Sequence, residues 1–175
     1  MLILPGPPAL SAFRLAKLAE RLEAVDPAIR LTGARYVHFA HLQGSLADGQ
    51  RAVLDSLLAY DGVAPDAAGD LAAAPGETLL LAVPRPGTIS PWASKATDIA
   101  HHCGLDALHR VERGVAYTLL LPAGLTEGQR AAARALLFDR MTETLLDDPA
   151  AATALFAEAT PRPMARVDVL GGGRA

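Results

Sequence analysis

Leu46-Ala-Asp-Gly-Gln-Arg-Ala52, continuing to Leu57-Leu58, returns 79 residues later as Leu125-Thr-Glu-Gly-Gln-Arg-Ala131, continuing to Leu136-Leu137, with seven of the thirteen positions identical. The same offset, without a gap, sets Pro5 on Pro84, Pro7 on Pro86, Leu10-Ser11 on Ile89-Ser90 and Phe13 on Trp92. One offset that holds at both ends of a stretch is the mark of a duplicated unit.

The local signals follow the same order in both copies. Residues 1–5 and 78–83 are short apolar runs that predict strands, each followed by a Pro/Gly turn. A helix comes next. In the first copy Leu15, Leu18, Leu22 and Val25 recur at helical spacing. In the second, Ser90 stands where an N-cap belongs, Pro91 at the first helical position and Gly104 just past the end. Further strands are predicted over 35–41 and 112–121, with room for an extra strand or a hairpin around 106–121. Each copy closes with a second helix, the later one opened by the capping pattern Thr126-x-x-Gln129. The fold class is therefore α+β, made of duplicated β-α-β-α units with antiparallel sheet flanked by helices about a pseudo-twofold. Strands such as Tyr36-Val-His-Phe-Ala40 are sticky on both faces. The two halves must pack sheet to sheet, or join edges into one larger sheet. The duplicated domain is assigned to 1–147, with halves 1–75 and 76–147. Segments 62–76 and 147–163 read as connectors, and 148–175 as the approach to a linker.

The chain has 175 residues, 51% of them hydrophobic, which is enough for a core without staples. A net charge of -3 gives no basic footprint, and nucleic acid is not an expected partner. The bases are 14 Arg but only Lys17 and Lys95, a skew that fits a GC-rich genome rather than a binding chemistry. Cys103 is the single cysteine, so an internal disulfide or a thiolate metal cluster is not expected. The N-terminus lacks the basic start of a signal peptide and no apolar run approaches a membrane span, so a cytoplasmic protein is expected.

Residues 84–105 hold the only Trp, the only Cys, one of the two Lys and the adjacent pair His101-His102. On a helix from Pro91, the residues Trp92, Ala96, Ile99 and Cys103 are predicted to share one apolar face. Cys103 is then a buried thiol, and Lys95 pairs with Asp98 at i,i+3. Arg85, Thr88, Ser90, Trp92, Ser94, Lys95, Asp98 and Arg113 are the candidate interface residues, because polar donors at a helix start suit an anion or a partner's carboxylate. An ordinary capped amphipathic helix, with Ser90 as cap and Trp92 in the core, explains the same spacing and is favoured by spacing alone. Arg51 and Arg130 match across the repeat and are expected to pair with carboxylates near the start of each second helix. The two histidines cannot face one metal. Neither a catalytic nor a cofactor-binding residue is assigned.

Pro84-Arg-Pro-Gly-Thr-Ile-Ser-Pro-Trp92, Ser94-Lys-Ala-Thr-Asp-Ile-Ala-His101, Cys103-Gly-Leu105 and Val111-Glu-Arg-Gly-Val-Ala-Tyr117 closely resemble the N-terminal domain of the large single-chain phosphoribosylformylglycinamidine synthases. Pro8-Ala-Leu-Ser-Ala-Phe-Arg14, Tyr36-Val-His-Phe-Ala40, Asp139-Arg-Met-Thr-Glu-Thr144 and Val167-Asp-Val-Leu170 are similar to that family in the same order. Ala93 and His102 depart from it, standing where Ser and Asn are expected. The resemblance implies part of a ligase of purine biosynthesis that converts formylglycinamide ribonucleotide, glutamine and ATP to the amidine. It implies ATP and Mg in the synthetase domain and a Cys-His-Glu triad in the glutaminase domain, both beyond residue 175. The domain itself, similar to a dimer of the small separate subunit of multi-subunit versions, is implied to dock those two domains and couple them along the ammonia path, without activity of its own. Apart from them it is expected to expose an apolar surface and self-associate. The alternative is a free-standing regulatory module that binds a small molecule between its halves. The tail, ending in Gly-Gly-Gly-Arg174-Ala, is read as the start of the linker of a truncated chain.

Overall fold

The computed structural model describes residues 1–60, 71–157 and 163–166. The tail from Val167, and the parts of the predicted connectors at 62–70 and 158–162, lie outside the described residues. In chain order the elements are β1 (Leu2–Pro8), α1 (Ala12–Glu23), β2 (Arg30–Leu42), α2 (Asp48–Leu57), β3 (Thr78–Pro84), α3 (Pro91–His102), β4 (Leu108–Leu120), α4 (Glu127–Ala135) and β5 (Glu143–Leu146), followed by a 3-10 helix at Pro149–Phe156. The fold is α+β, and the duplicated β-α-β-α order is visible in it.

The offset of 79 residues reappears in the elements. α1 and α3 begin and end at matched positions, α2 and α4 begin at matched positions, and β4 starts one residue before the place that β2 dictates. Both first helices are capped by the matched serines: Ser11 Oγ accepts from the Arg14 amide at 3.4 Å, and Ser90 Oγ from the Ala93 amide at 3.0 Å. Of the second helices, α4 has the full reciprocal box of Thr126 and Gln129. At the start of α2, Ala47 has no side-chain acceptor, and only the Gln50 carbonyl closes back on the Ala47 amide at 3.3 Å.

The halves join by their edges. The strands form one antiparallel sheet in the order β1-β2-β4-β3-β5, with β2 against β4 at its centre. Tyr36 stands opposite Val115 in that ladder, with Arg35 opposite Ala116 and Val37 opposite Gly114. Tyr36 and Val115 are themselves matched residues of the repeat, so the pseudo-twofold passes between them. The extra strand or hairpin predicted around 106–121 is instead the single long β4, because every residue from Arg110 to Thr118 finds a partner on β2. Gly114 is required at this crossing: a Cβ there would lie 2.6 Å from the Ala82 carbonyl oxygen.

The helices cover one face. Alternation along β2 turns Ala34 and Ala40 toward them and Val37 and Phe39 away. Leu22, Ile29, Leu80, Leu119 and Leu137 form one cluster beneath α1 and α4, and Leu4, Leu54, Leu58, Ala100 and Leu108 a second beneath α2 and α3. The other face buries Val37, Phe39, Leu81 and Val83 under Ala152 and Leu155 of the 3-10 helix. Residues 149–156, which composition marks as connector, thus supply the cover that a two-sided sheet needs. Arg110 NH2 donates to the Leu155 carbonyl there, and its guanidinium lies 4.9 Å from the Phe156 ring centre.

The apolar stripe predicted for α3 is rotated. The residues it buries are Ala93 and Ala100, while Ile99 is 44% exposed and Cys103 is exposed. A helix lying close on β4 needs small side chains at the contact, and the larger Ile99 turns toward the groove shared with α2. Asp98 approaches His102 Nδ1 at 3.7 Å, and among the described residues the expected Lys95–Asp98 pair is not formed. Arg51 reaches Asp55 one turn further along α2 at 2.9 Å. Arg130 donates to the Pro122 and Ala123 carbonyls before α4, where no carboxylate is needed.

Candidate functional site

The β3–β4 ladder ends at Ala82 and Val115, while the other edge of β3 stays paired with β5 from Leu81 to Pro84. Residues 108–113 of β4 are left without β3, and α3 moves in over them. Thr97 Oγ1 accepts the Val111 amide at 3.1 Å in place of a strand. Ser90 donates Oγ–H to Glu112 Oε2 at 2.7 Å and its amide to Oε1 at 3.4 Å. Glu112 is fully buried, and its pKa is raised above the ordinary carboxyl value, chiefly by burial, with the Ser90 bonds and Arg110 opposing.

Where that ladder ends, a cavity of about 510 Å³ opens on the helix-bearing side, between the end of β3, the start of α3, the central strands and the turn before β5. Its floor is the pseudo-twofold pair Tyr36 and Val115, and Arg113 and Trp92 form one wall. The Arg113 guanidinium lies 4.5 Å from the Tyr36 ring centre and 4.8 Å from that of Trp92, within cation–π range of both. Its NH1 donates to Tyr60 Oη at 3.1 Å, and Tyr60 lies 3.2 Å from His38 Nε2. His38 is fully buried. Burial first, and the Arg113 charge in addition, lower its pKa from 6.5 to about 4, so at neutral pH its imidazole is uncharged. Tyr117 lies on the same face, where burial and the charge of Glu143 push its hydroxyl up to about 12.

The turn at 85–88 is self-contained. Gly87 has φ +80°, and Thr88 Oγ1 donates to the Arg85 carbonyl at 2.6 Å, so that hydroxyl is used within the turn. The Arg85 amide in turn donates to the Thr142 carbonyl at 3.1 Å and ties the turn to β5. Glu143 also lines the cavity, and its Oε2 accepts the Asp139 amide at 2.8 Å. The mouth is flanked by Ile89 and Met141, which are 59% and 79% exposed.

Of the eight candidate residues, Arg85, Thr88, Ser90, Trp92 and Arg113 meet at this cavity. Ser94 and Asp98 are on the exposed side of α3. Lys95 lines a separate apolar groove of about 260 Å³ between α2 and α3, with Leu57, Ile99 and Tyr60. Tyr36, Tyr60, Met141 and Glu143 were not among the candidates. Tyr36 and His38, two polar aromatics of the same parity on one strand, carried the signal; Tyr60 and the turn before β5 carried none. His101 and His102 point apart, to the Leu108 carbonyl and to Asp98. Among the described residues no group of three or more His, Cys, Asp or Glu could hold a metal ion, and no helix is long and apolar enough to cross a membrane.

In comparison with known proteins, the family described as formylglycinamide ribonucleotide amidotransferase N-terminal matches residues 35–156, more than two thirds of the chain. The match begins within β2, at residue 35, and takes in α2, all of the second half and the 3-10 helix.

Proposed function

From the premise that this chain belongs to the formylglycinamide ribonucleotide amidotransferase N-terminal family, we propose that it docks the catalytic domains of that purine-biosynthesis enzyme and couples glutamine hydrolysis to amidation. The observation that carries the reading is the cavity at Arg113. It gathers cations and hydroxyl-bearing residues from four separate segments, and its mouth is bordered by the exposed apolar residues Ile89 and Met141. Arginine, methionine and aromatic side chains, which meet here, are enriched in protein contacts. The groove of Leu57, Lys95 and Ile99 would extend that surface along α3.

On this reading the synthetase and glutaminase active sites, with ATP and Mg at the former, belong to other domains of the enzyme, which works in the cytoplasm. The present domain contributes alignment. Ammonia released at one site must reach the other before it escapes to water, so a displacement of about 1 Å between domains can cost orders of magnitude in rate. A regulatory module that binds a small molecule draws on the same cavity, whose volume falls in the range of ligand pockets.

The test is the full-length enzyme carrying Trp92→Ala or Lys95→Ala, assayed with glutamine and with free ammonia as nitrogen source. Glutamine-dependent turnover should fall by about tenfold or more while ammonia-dependent turnover is kept. Equal retention of both activities would refute the coupling role.

A further inference from the structure

We infer that the Arg113 cavity is the receptor for a carboxylate, supplied by an acidic side chain from a catalytic domain of the same enzyme. The inference deepens the docking role proposed above and rests on it.

The first ground is the state of the guanidinium. It is in cation–π contact with the rings of Tyr36 and Trp92, an interaction of the guanidinium carbon with the ring faces that leaves the N–H groups to hydrogen-bond. Among the described residues its one hydrogen bond is to Tyr60 Oη, and no carboxylate lies within ion-pair distance. An arginine has five N–H donors in a fixed fork that matches a carboxylate. Arg85 lines the same cavity, and among the described residues Glu143 is the one acidic residue on its wall. Two cations against one anion leave a positive site. The hydroxyls of Thr88 and Ser90 are spent on the Arg85 carbonyl and Glu112, so the guanidiniums are the charged donors that remain for an incoming group, beside the Tyr36 hydroxyl and the Trp92 indole N–H.

The second ground is internal to the molecule. The pseudo-twofold places Ala34 where the second half has Arg113, Leu10 where it has Ile89, and Phe13 where it has Trp92. Leu10 and Ala34 border a hollow of about 540 Å³ whose other walls, among them Leu71, Leu79 and Ala116, differ from those of the Arg113 cavity, and Phe13 is 75% exposed. The same scaffold thus folds with a methyl group at this position. The first half does without a cation at this position, so the Arg113 guanidinium is particular to the second half.

The third ground is the rim. Ile89 and Met141 offer apolar surface around a charge, so a protein surface seated there would exclude water and strengthen the ion pair. A freely diffusing carboxylate would leave that rim uncovered, which favours a side chain of the enzyme as the bearer.

The experiment uses the full-length enzyme. Its structure, by crystallography or cryo-electron microscopy, should show a carboxylate from outside residues 1–175 hydrogen-bonded to Arg113. Arg113→Gln should reduce glutamine-dependent turnover about tenfold or more, Arg113→Lys should reduce it less, and ammonia-dependent turnover should be kept by both. Arg113→Glu should be rescued by changing the contacting acidic residue to lysine. Arg113 facing solvent, or bonded only to a free small carboxylate, would overturn the inference, and so would Arg113→Gln with full glutamine-dependent activity. If that variant unfolds, the contact seen in the wild-type structure decides. Loss of coupling in Trp92→Ala with none in Arg113→Gln would sink this inference alone and leave the docking role standing.

Discussion

Ser90 and Glu112 are joined twice, Oγ to Oε2 at 2.7 Å and amide to Oε1 at 3.4 Å, so the residue that caps α3 is also the one that fastens it to the bared edge of β4. The matched cap Ser11 of α1 is exposed and holds only the Arg14 amide. One position of the repeat therefore has two very different workloads. Ser90→Ala should lose the cap and leave a buried carboxyl short of a donor, a cost of about 2–3 kcal/mol. Ser11→Ala should cost about 1 kcal/mol or less. Urea unfolding of the two variants checks the difference.

Gly114 and Gly128 make a second contrast. A Cβ at Gly114 would meet the Ala82 carbonyl oxygen at 2.6 Å and Val83 Cγ1 at 3.0 Å, whereas one on Gly128 of α4 would meet nothing within 4 Å. Gly114→Ala should destabilise by about 2–3 kcal/mol through displaced backbone. Gly128→Ala should stabilise by about 0.5 kcal/mol, because helix formation costs alanine less. Thermal melts should move in opposite directions.

The lowered pKa of His38 sets a pH dependence. Between 6.5 and about 4 the unfolded chain binds a proton at this residue that the folded chain does not. That part of the stability is complete above 6.5 and is lost as pH falls toward about 4, an amount on the order of 3 kcal/mol. Glu112, with its raised pKa, works in the opposite sense as pH falls through the carboxyl range. The comparison is therefore wild type against His38→Asn, by urea unfolding at pH 7, 6 and 5. The variant should show the weaker decline, and parallel curves would count against the buried neutral imidazole.

Much of this arrangement was legible in the residues. The offset of 79 fixed the matched helix starts, and Ser90, Pro91 and Gly104 bounded α3 correctly, since caps and turn glycines act locally. How the halves join was not legible: Tyr36-Val-His-Phe-Ala40 shows that both faces of the strand are buried, but sheet-on-sheet and edge-to-edge packing use the same alternation. The 3-10 helix at 149–156 has no amphipathic period to read, although its Ala152 and Leu155 are buried against the sheet. Ile99 and Cys103 mislead for a related reason. Apolar spacing marks a stripe, yet the close approach of α3 to β4 selected its alanines. At the cavity, Arg113 and Trp92 could be named as candidates, whereas Tyr60 and Met141 arrive from distant turns that only the fold brings near.

The duplication supplies its own control for the central claim, that the second half of the scaffold carries the docking function. Trp92 and Phe13 are matched residues on matched helices, the first against Arg113 and the second 75% exposed. The decisive measurement is the ratio of glutamine-dependent to ammonia-dependent turnover in the full-length enzyme with Trp92→Ala and with Phe13→Ala. The ratio should fall by about tenfold or more in the first and stay at the wild-type value in the second. Equal ratios in the two variants, whether both lowered or both unchanged, would contradict it.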